Sequence, residues 1–188
     1  MGSEIFQNWE IFYKERYKGW SGAEQFSGSG ARLERLVDEM CWPSDKIKKE
    51  VDKQLKSVFS SDFSEMLTLG PTNVWTLCPH HLLPCNFKVY VGYVPTTGKV
   101  LGLSKFSRIA VALARRPIMQ EQYSKDLADA LEVPLSCKGL GIHVIGKHGC
   151  MGCRGVLQDE VEVVTTVLRG CILTESDCKQ EFLMKVIN

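Results

Sequence analysis

At 188 residues, with 44% hydrophobic and 24% charged side chains, the chain is long enough for one compact domain with a real core and leaves little room for a second. Lys plus Arg (23) nearly cancels Asp plus Glu (22), which argues against a nucleic-acid or membrane-surface partner and leaves anion binding to local clusters. No apolar run reaches the length of about 18 residues that spans a bilayer, and residues 1–13 lack a basic stretch leading into an apolar one, so the expected location is cytoplasmic and the eight cysteines read as reduced thiols, some of them metal ligands.

In chain order, residues 1–30 mix Phe6, Trp9, Phe12, Tyr13, Tyr17 and Trp20 with charges and end in Ser27-Gly28-Ser29-Gly30, which reads as a flexible joint. Leu33, Leu36, Val37 and Met40 recur at a helical period over Ala31–Trp42, and Pro43 stops that helix. Ile47, Val51, Leu55, Val58 and Phe59 predict a second amphipathic helix from Ser44 to Phe59. Gly70-Pro71 reads as a turn. Beyond it, Val74–Cys78 and the alternating Phe87, Val89, Val91 and Tyr93 are strand-like up to Pro95, and the turn signal Thr96-Thr97-Gly98 makes this a hairpin. Helices are expected over Ser104–Ala114 and from Pro117 to about Leu131, β-rich stretches over Gly139–Gly146 and Val156–Leu168, and a closing helix over Glu175–Val186. Helices, hairpin, helices, hairpin and helix make an α+β order without internal repeats.

Cys78-Pro79-His80-His81 sets a thiol and an imidazole three residues apart, a spacing at which one turn of backbone presents two zinc ligands. A third ligand, Cys150 in His148-Gly149-Cys150, can join only if a sheet brings it back. Three protein ligands leave a coordination position open, the catalytic arrangement, in which a bound water ionises near neutrality and His80 and His148 are placed to shuttle protons. Cys150-Met151-Gly152-Cys153 also has CxxC spacing, so Cys153 can close the tetrahedron as a structural Cys₃His site, and spacing alone does not choose between the two.

Ser104 caps a helix whose first turns carry Lys105 and Arg108, cations that oppose the helix dipole and make sense if a phosphate docks there. Arg32, Arg35 and Arg154 can join that cluster if the fold converges them; Arg115 and Arg116 read as solvated at a helix end. Glu121, after Gln120, suits a helix start, and a carboxylate facing a cleft can instead accept both the N1–H and the exocyclic amine of guanine.

With Cys-Pro-His-His, Gly-Leu-Ser-Lys-Phe-Ser-Arg, Arg-Arg-Pro-Ile-Met-Gln-Glu and His-Gly-Cys-Met-Gly-Cys-Arg-Gly in this order, the chain resembles the GTP cyclohydrolase I family from about Trp75 to its C-terminus. The resemblance implies a zinc ion on Cys78, His81 and Cys150 with Cys153 left out, and His80 and His148 as acid/base residues. It also implies Ser104 near the ribose rearrangement, Ser104, Lys105, Arg108 and Arg154 on the triphosphate, Glu121 with Gln120 on guanine, and Arg32 and Arg35 among the substrate-binding residues. The implied fold is the tunnelling fold (T-fold), an antiparallel sheet with helices packed on one face, an N-terminal helical segment, and an oligomeric barrel with active sites between subunits, usually a decamer of two pentamers. The corresponding division is an extension over 1–30, a helical region over 31–70 and a catalytic T-fold domain over 71–188.

The implied reaction adds water to C8 of GTP while His80 or His148 protonates N7, opens the imidazole ring, releases formate, and, after an Amadori-type rearrangement, recloses the ribose carbons on the freed amine to give 7,8-dihydroneopterin triphosphate. Such a product feeds pterin, tetrahydrofolate or 7-deazaguanine synthesis. Pro79 stands where the family usually has Glu, the wall near Cys85 and Phe87 is altered, and Val167 and Arg169 replace a Ser and a Gly. These departures keep two alternatives in view: a related T-fold enzyme acting on another purine or pterin, and a non-catalytic zinc protein that binds a nucleotide.

Overall fold

In the computed structural model, which describes residues 2–96 and 98–187, a carboxylate orders the Ser27–Gly30 stretch expected to be a flexible joint. Helix α1 (Gly2–Arg16) and helix α2 (Ser29–Met40) flank a short 3-10 turn at Ala23–Phe26. Glu10 on α1 accepts the amides of Gly28 (3.0 Å) and Gly30 (3.1 Å), so an acidic side chain satisfies the exposed N–H groups at the start of α2, which has no side-chain cap of its own. Tyr13 stacks on Trp9, Tyr17 and Phe26, so these aromatics pack among themselves. Together they make the first of two compact units, Met1–Trp42; the second is Pro43–Asn188.

The second unit begins with α3 (Ser44–Leu55), which stops short of Phe59 because Val58 and Phe59 enter strand β1 (Val58–Ser61) and pair with β4 (Gly98–Leu101). Exposures of 42% and 59% for Val58 and Phe59 show why the helical period misleads there: neither side chain belongs to the buried face of α3.

The main sheet runs β2 (Leu67–Leu77), β3 (Pro84–Val94), β5 (Gly139–His148), β6 (Val163–Gly170), antiparallel throughout. Strand β2 continues through Gly70–Pro71, where its register slips between Leu69 and Thr72, instead of turning there. The turn lies at Cys78–Leu83, closed by Cys78 N–H to Leu83 O and Leu82 N–H to Cys78 O, both 2.8 Å. Thr97, within the expected turn Thr96-Thr97-Gly98, lies outside the described residues, and β4 beyond it pairs with β1 and not β3. Residues 153–162 are exposed, and the last strand starts only at Val163.

Alternation along β3 sends Phe87, Val89, Val91 and Tyr93 to one face, where α4 (Leu103–Leu113) and α5 (Gln120–Leu135) cover them. Phe106 of α4 meets Tyr93 at 5.2 Å between ring centres, and Tyr123 of α5 meets Phe87 at 5.4 Å. The expected helical layer is therefore present on this face. On the other face, after the short α7 (Cys171–Thr174), helix α8 (Ser176–Ile187) lays the fully buried Phe182 over Gly92 and Gly141, where added Cβ atoms would sit 2.5 Å and 2.7 Å from its ring. Burying a side chain of this size contributes roughly 1.5–3 kcal/mol. Among the described residues no helix is long and apolar enough to cross a membrane.

Glu10 carries a pH prediction. The Lys14 ammonium, then the two glycine amides, hold its carboxyl down at about 2. A folded value below the ordinary one of 4.5 means the contribution is complete above 4.5 and is lost as pH falls toward about 2. Amide-exchange protection at Gly28 and Gly30 is expected to fall over that window, and Glu10→Gln is expected to show the reduced protection already at neutral pH.

Candidate metal centre

Strand β2 delivers Cys78 at its end, and the tight turn that follows presents His80 and His81. The β3–β5 register sets Cys85 opposite His148, so β5 ends beside that turn and hands over to α6 (Gly149–Gly152). A Cβ on Gly149 would lie 2.7 Å from Pro84 O, so the close crossing here requires glycine. The outcome is that the ligand atoms of Cys78, His81 and Cys150 lie within 4.8 Å of one another. Sulfur and nitrogen ligands around tetrahedral zinc are about 3.5 Å apart, so small closure suffices. Cys78 is buried, Cys150 half-buried and His81 exposed, which opens the group to solvent on the histidine side. Burial, then the neighbouring Cys78 thiol, raises the Cys150 thiol, and a cation is what lets such crowded thiols ionise together.

Cys153 is exposed and outside this group, with its thiol donating to Gly149 O at 2.9 Å. Of the two arrangements that spacing leaves open, the structure assembles the three-ligand one.

His80 Nδ1 lies 3.6 Å from Cys78 Sγ. His148 is half-buried and bonded at both nitrogens, Nδ1 to Cys85 Sγ (3.3 Å) and Nε2 to Gln120 Oε1 (2.9 Å). Burial lowers its proton affinity, and the nearby Glu121 charge partly opposes this. Burial, followed by the charges of Cys78 and Cys150, pushes the Cys85 thiol up to about 12. Gln120 is 1% exposed, and its amide nitrogen donates to Val144 O (3.1 Å) and Val163 O (2.8 Å). Gly146 leaves the room its side chain fills, since a Cβ there would collide with Oε1.

Arg154 lies with Nη1 2.5 Å from His81 Nε2, a guanidinium beside the candidate ligands. Glu121 is exposed at the start of α5, within electrostatic reach of His148. Ser104, Lys105 and Arg108 stand in the first turns of α4, Ser104 and Arg108 exposed, on a helix that neighbours α3, β2 and α5. Arg32 and Arg35 belong to α2 in the first unit, where Arg32 donates to Gln25 O and lines a cavity of about 350 Å³ with Trp9, Tyr13 and Phe26. Arg116, expected to be solvated, pairs with Asp126. Cys85 and Thr165 entered none of the motifs. Each owes its place to strand pairing, and neither has a local sequence signal.

The pattern of the family described as GTP cyclohydrolase I matches residues 22–187. "GTP cyclohydrolase 1" of Campylobacter concisus is 40% identical over 126 residues, covering 67% of this chain and 66% of that protein, just under two thirds of its length. "GTP cyclohydrolase 1" of Pseudoalteromonas atlantica is 35% identical over 150 residues, covering 79% of this chain and 81% of that protein. Among solved structures, the archaeosine synthase QueF-Like in the apo form aligns with a TM-score of 0.46 and 23% identity, covering 56% of this chain and 93% of that one.

Replacing Gln120 by leucine keeps its bulk but removes the donor shared by the Val144 and Val163 carbonyls and the acceptor at Nε2 of half-buried His148. Unfolding in denaturant is expected to show a loss of about 2 kcal/mol, the cost of buried polar groups left unpaired.

Proposed function

This chain belongs to the GTP cyclohydrolase I family, and we propose that it hydrolyses GTP to 7,8-dihydroneopterin triphosphate and formate at a zinc ion held by Cys78, His81 and Cys150. The observation that carries this is the meeting of three soft or imidazole ligands from two distant segments, with two further histidines adjoining them. Two thiols and an imidazole fit zinc in both ligand softness and number, and zinc with an open position supplies Lewis acidity and a water that ionises near neutrality.

His80 and His148 hold and move the protons, at purine N7 as the ring opens and at the ribose oxygens during the rearrangement. Glu121 accepts the N1–H and the exocyclic amine of guanine, and its neighbour Gln120 backs this contact through His148. Ser104, Lys105, Arg108 and Arg154 hold the triphosphate, Ser104 also meeting the ribose, and Arg32 and Arg35 add positive charge to the same substrate. The exposed position of most of these side chains suits a site completed by a second copy of the chain. In this reading the edge strands β2 and β6 continue into neighbouring copies, closing the T-fold barrel as a decamer of two pentamers in the cytoplasm. The product enters pterin, tetrahydrofolate or 7-deazaguanine synthesis.

Purified, zinc-loaded protein given GTP is expected to release formate together with a product that becomes a fluorescent pterin on oxidation. His148→Ala is expected to lower kcat by about 100-fold or more. Zinc bound with neither product formed would overturn the assignment. Elemental analysis is expected to find zinc lost from Cys150→Ser and retained in Cys153→Ser, because only the former removes a ligand.

A further inference from the structure

Cys85 is 1% exposed, sits across the β3–β5 ladder from His148, and ends a chain of hydrogen bonds whose directions can be worked out one by one. At the far end the Ser124 hydroxyl lies 2.9 Å from Gln120 O, a carbonyl that only accepts, so Ser124 gives its proton there. Thr165 Oγ1, 2.7 Å from Ser124 Oγ, must then be the donor between the two hydroxyls. The nitrogen of the Gln120 side chain faces Val144 O at 3.1 Å, Val163 O at 2.8 Å and Thr165 Oγ1 at 3.3 Å. Two of these are carbonyls, so the amide cannot be turned round, and Oε1 is left facing His148 Nε2 at 2.9 Å as an acceptor. Nε2 therefore carries a proton, and whenever the ring is neutral it turns a bare Nδ1 toward Cys85 Sγ, 3.3 Å away. A thiol has one hydrogen to give, and of its two acceptors the bare Nδ1 at 3.3 Å is nearer than Leu83 O at 3.8 Å, in a place shielded from water.

We infer that Cys85 is a positioning residue for His148: its S–H and the Gln120 Oε1 grip opposite nitrogens of the imidazole, fixing both the ring plane and the Nε2–H form. A flip about Cβ–Cγ exchanges each nitrogen for a carbon and loses both bonds at once. With Gln120 as its one anchor the ring can pivot; with two it cannot. The inference rests on the proposed role of His148 in handling protons, for which one of these two bonds gives way to substrate while the other keeps the ring in place, and it adds a residue from β3 that the reaction does not itself touch.

The test uses zinc-loaded, full-length protein with ¹⁵N-labelled histidine, read by magic-angle-spinning NMR, with His148→Ala to assign its signals and the distant His143 as internal reference. Wild-type protein is expected to show His148 protonated at Nε2 and bare at Nδ1. Cys85→Val, close in volume but without a donor, is expected to mix the two forms and to lower kcat about 10-fold with KM within about 2-fold, as loss of a supporting hydrogen bond does. Cys85→Ser, which restores the donor, is expected to recover the single form and most of kcat. An unchanged His148 pattern and kcat in zinc-replete Cys85→Val would overturn the inference and leave the cyclohydrolase reading intact. A wild-type ring protonated at Nδ1 would overturn it whether or not Cys85→Val folds. Absence of formate release by the wild type sinks the cyclohydrolase reading instead, and the NMR pattern alone then decides the role of Cys85.

Discussion

The pairing of β3 with β5, from Cys85 opposite His148 to Val94 opposite Gly139, is the constraint on which the metal centre and the core both depend. Side chains alternate with a period of two, so a slip of one residue would send Leu140, Ile142 and Val144 to the face of α8 and bring Gly139, Gly141 and His143 under α5. The same slip would draw the Cys150 thiol away from Cys78. Packing holds the register: Phe87, Tyr93, Phe106 and Tyr123 fill one face and Phe182 the other.

Polar side chains reaching across elements do the remaining alignment, and two of them work alike. Glu10 joins α1 to α2 by accepting backbone amides at a helix start, and Gln120 joins α5 to β5 and β6 by donating to backbone carbonyls. In both cases the partners are main-chain groups whose role as donor or acceptor is fixed, so the side chain has one satisfactory orientation. The Gln120 contacts are the more buried of the two sets, and buried polar contacts specify geometry at least as much as they stabilise it.

The sequence made the α+β order and the local half of the metal site legible, because helical and strand periods are local and Cys78 and His81 share one turn. The third ligand was harder. Spacing offered Cys150 and Cys153 on equal terms, and family resemblance distinguished them before the geometry did. Strand pairing was what no local pattern contained: Val58 and Phe59 continued a helical period yet joined β4, and Gly70-Pro71 looked like a turn yet lies inside β2. The same blindness to register hid Cys85 and Thr165, whose importance comes from what stands opposite or above them in the sheet. Ser27–Gly30 misled differently, since its composition is that of a linker and its order comes from a carboxylate contributed by α1.

The split origin of the ligands bears on the order of events as the chain folds. Cys78 and His81 lie within one short turn between adjacent strands, a local structure that closes early, whereas Cys150 arrives only once β5 has paired with β3. A nascent chain thus offers only two of the three candidate ligands, and the third joins when the sheet zips. For an ion bound as proposed, uptake would in this sense be a clock for β-sheet closure, and a chain that mispairs its strands would announce the error by failing to retain metal.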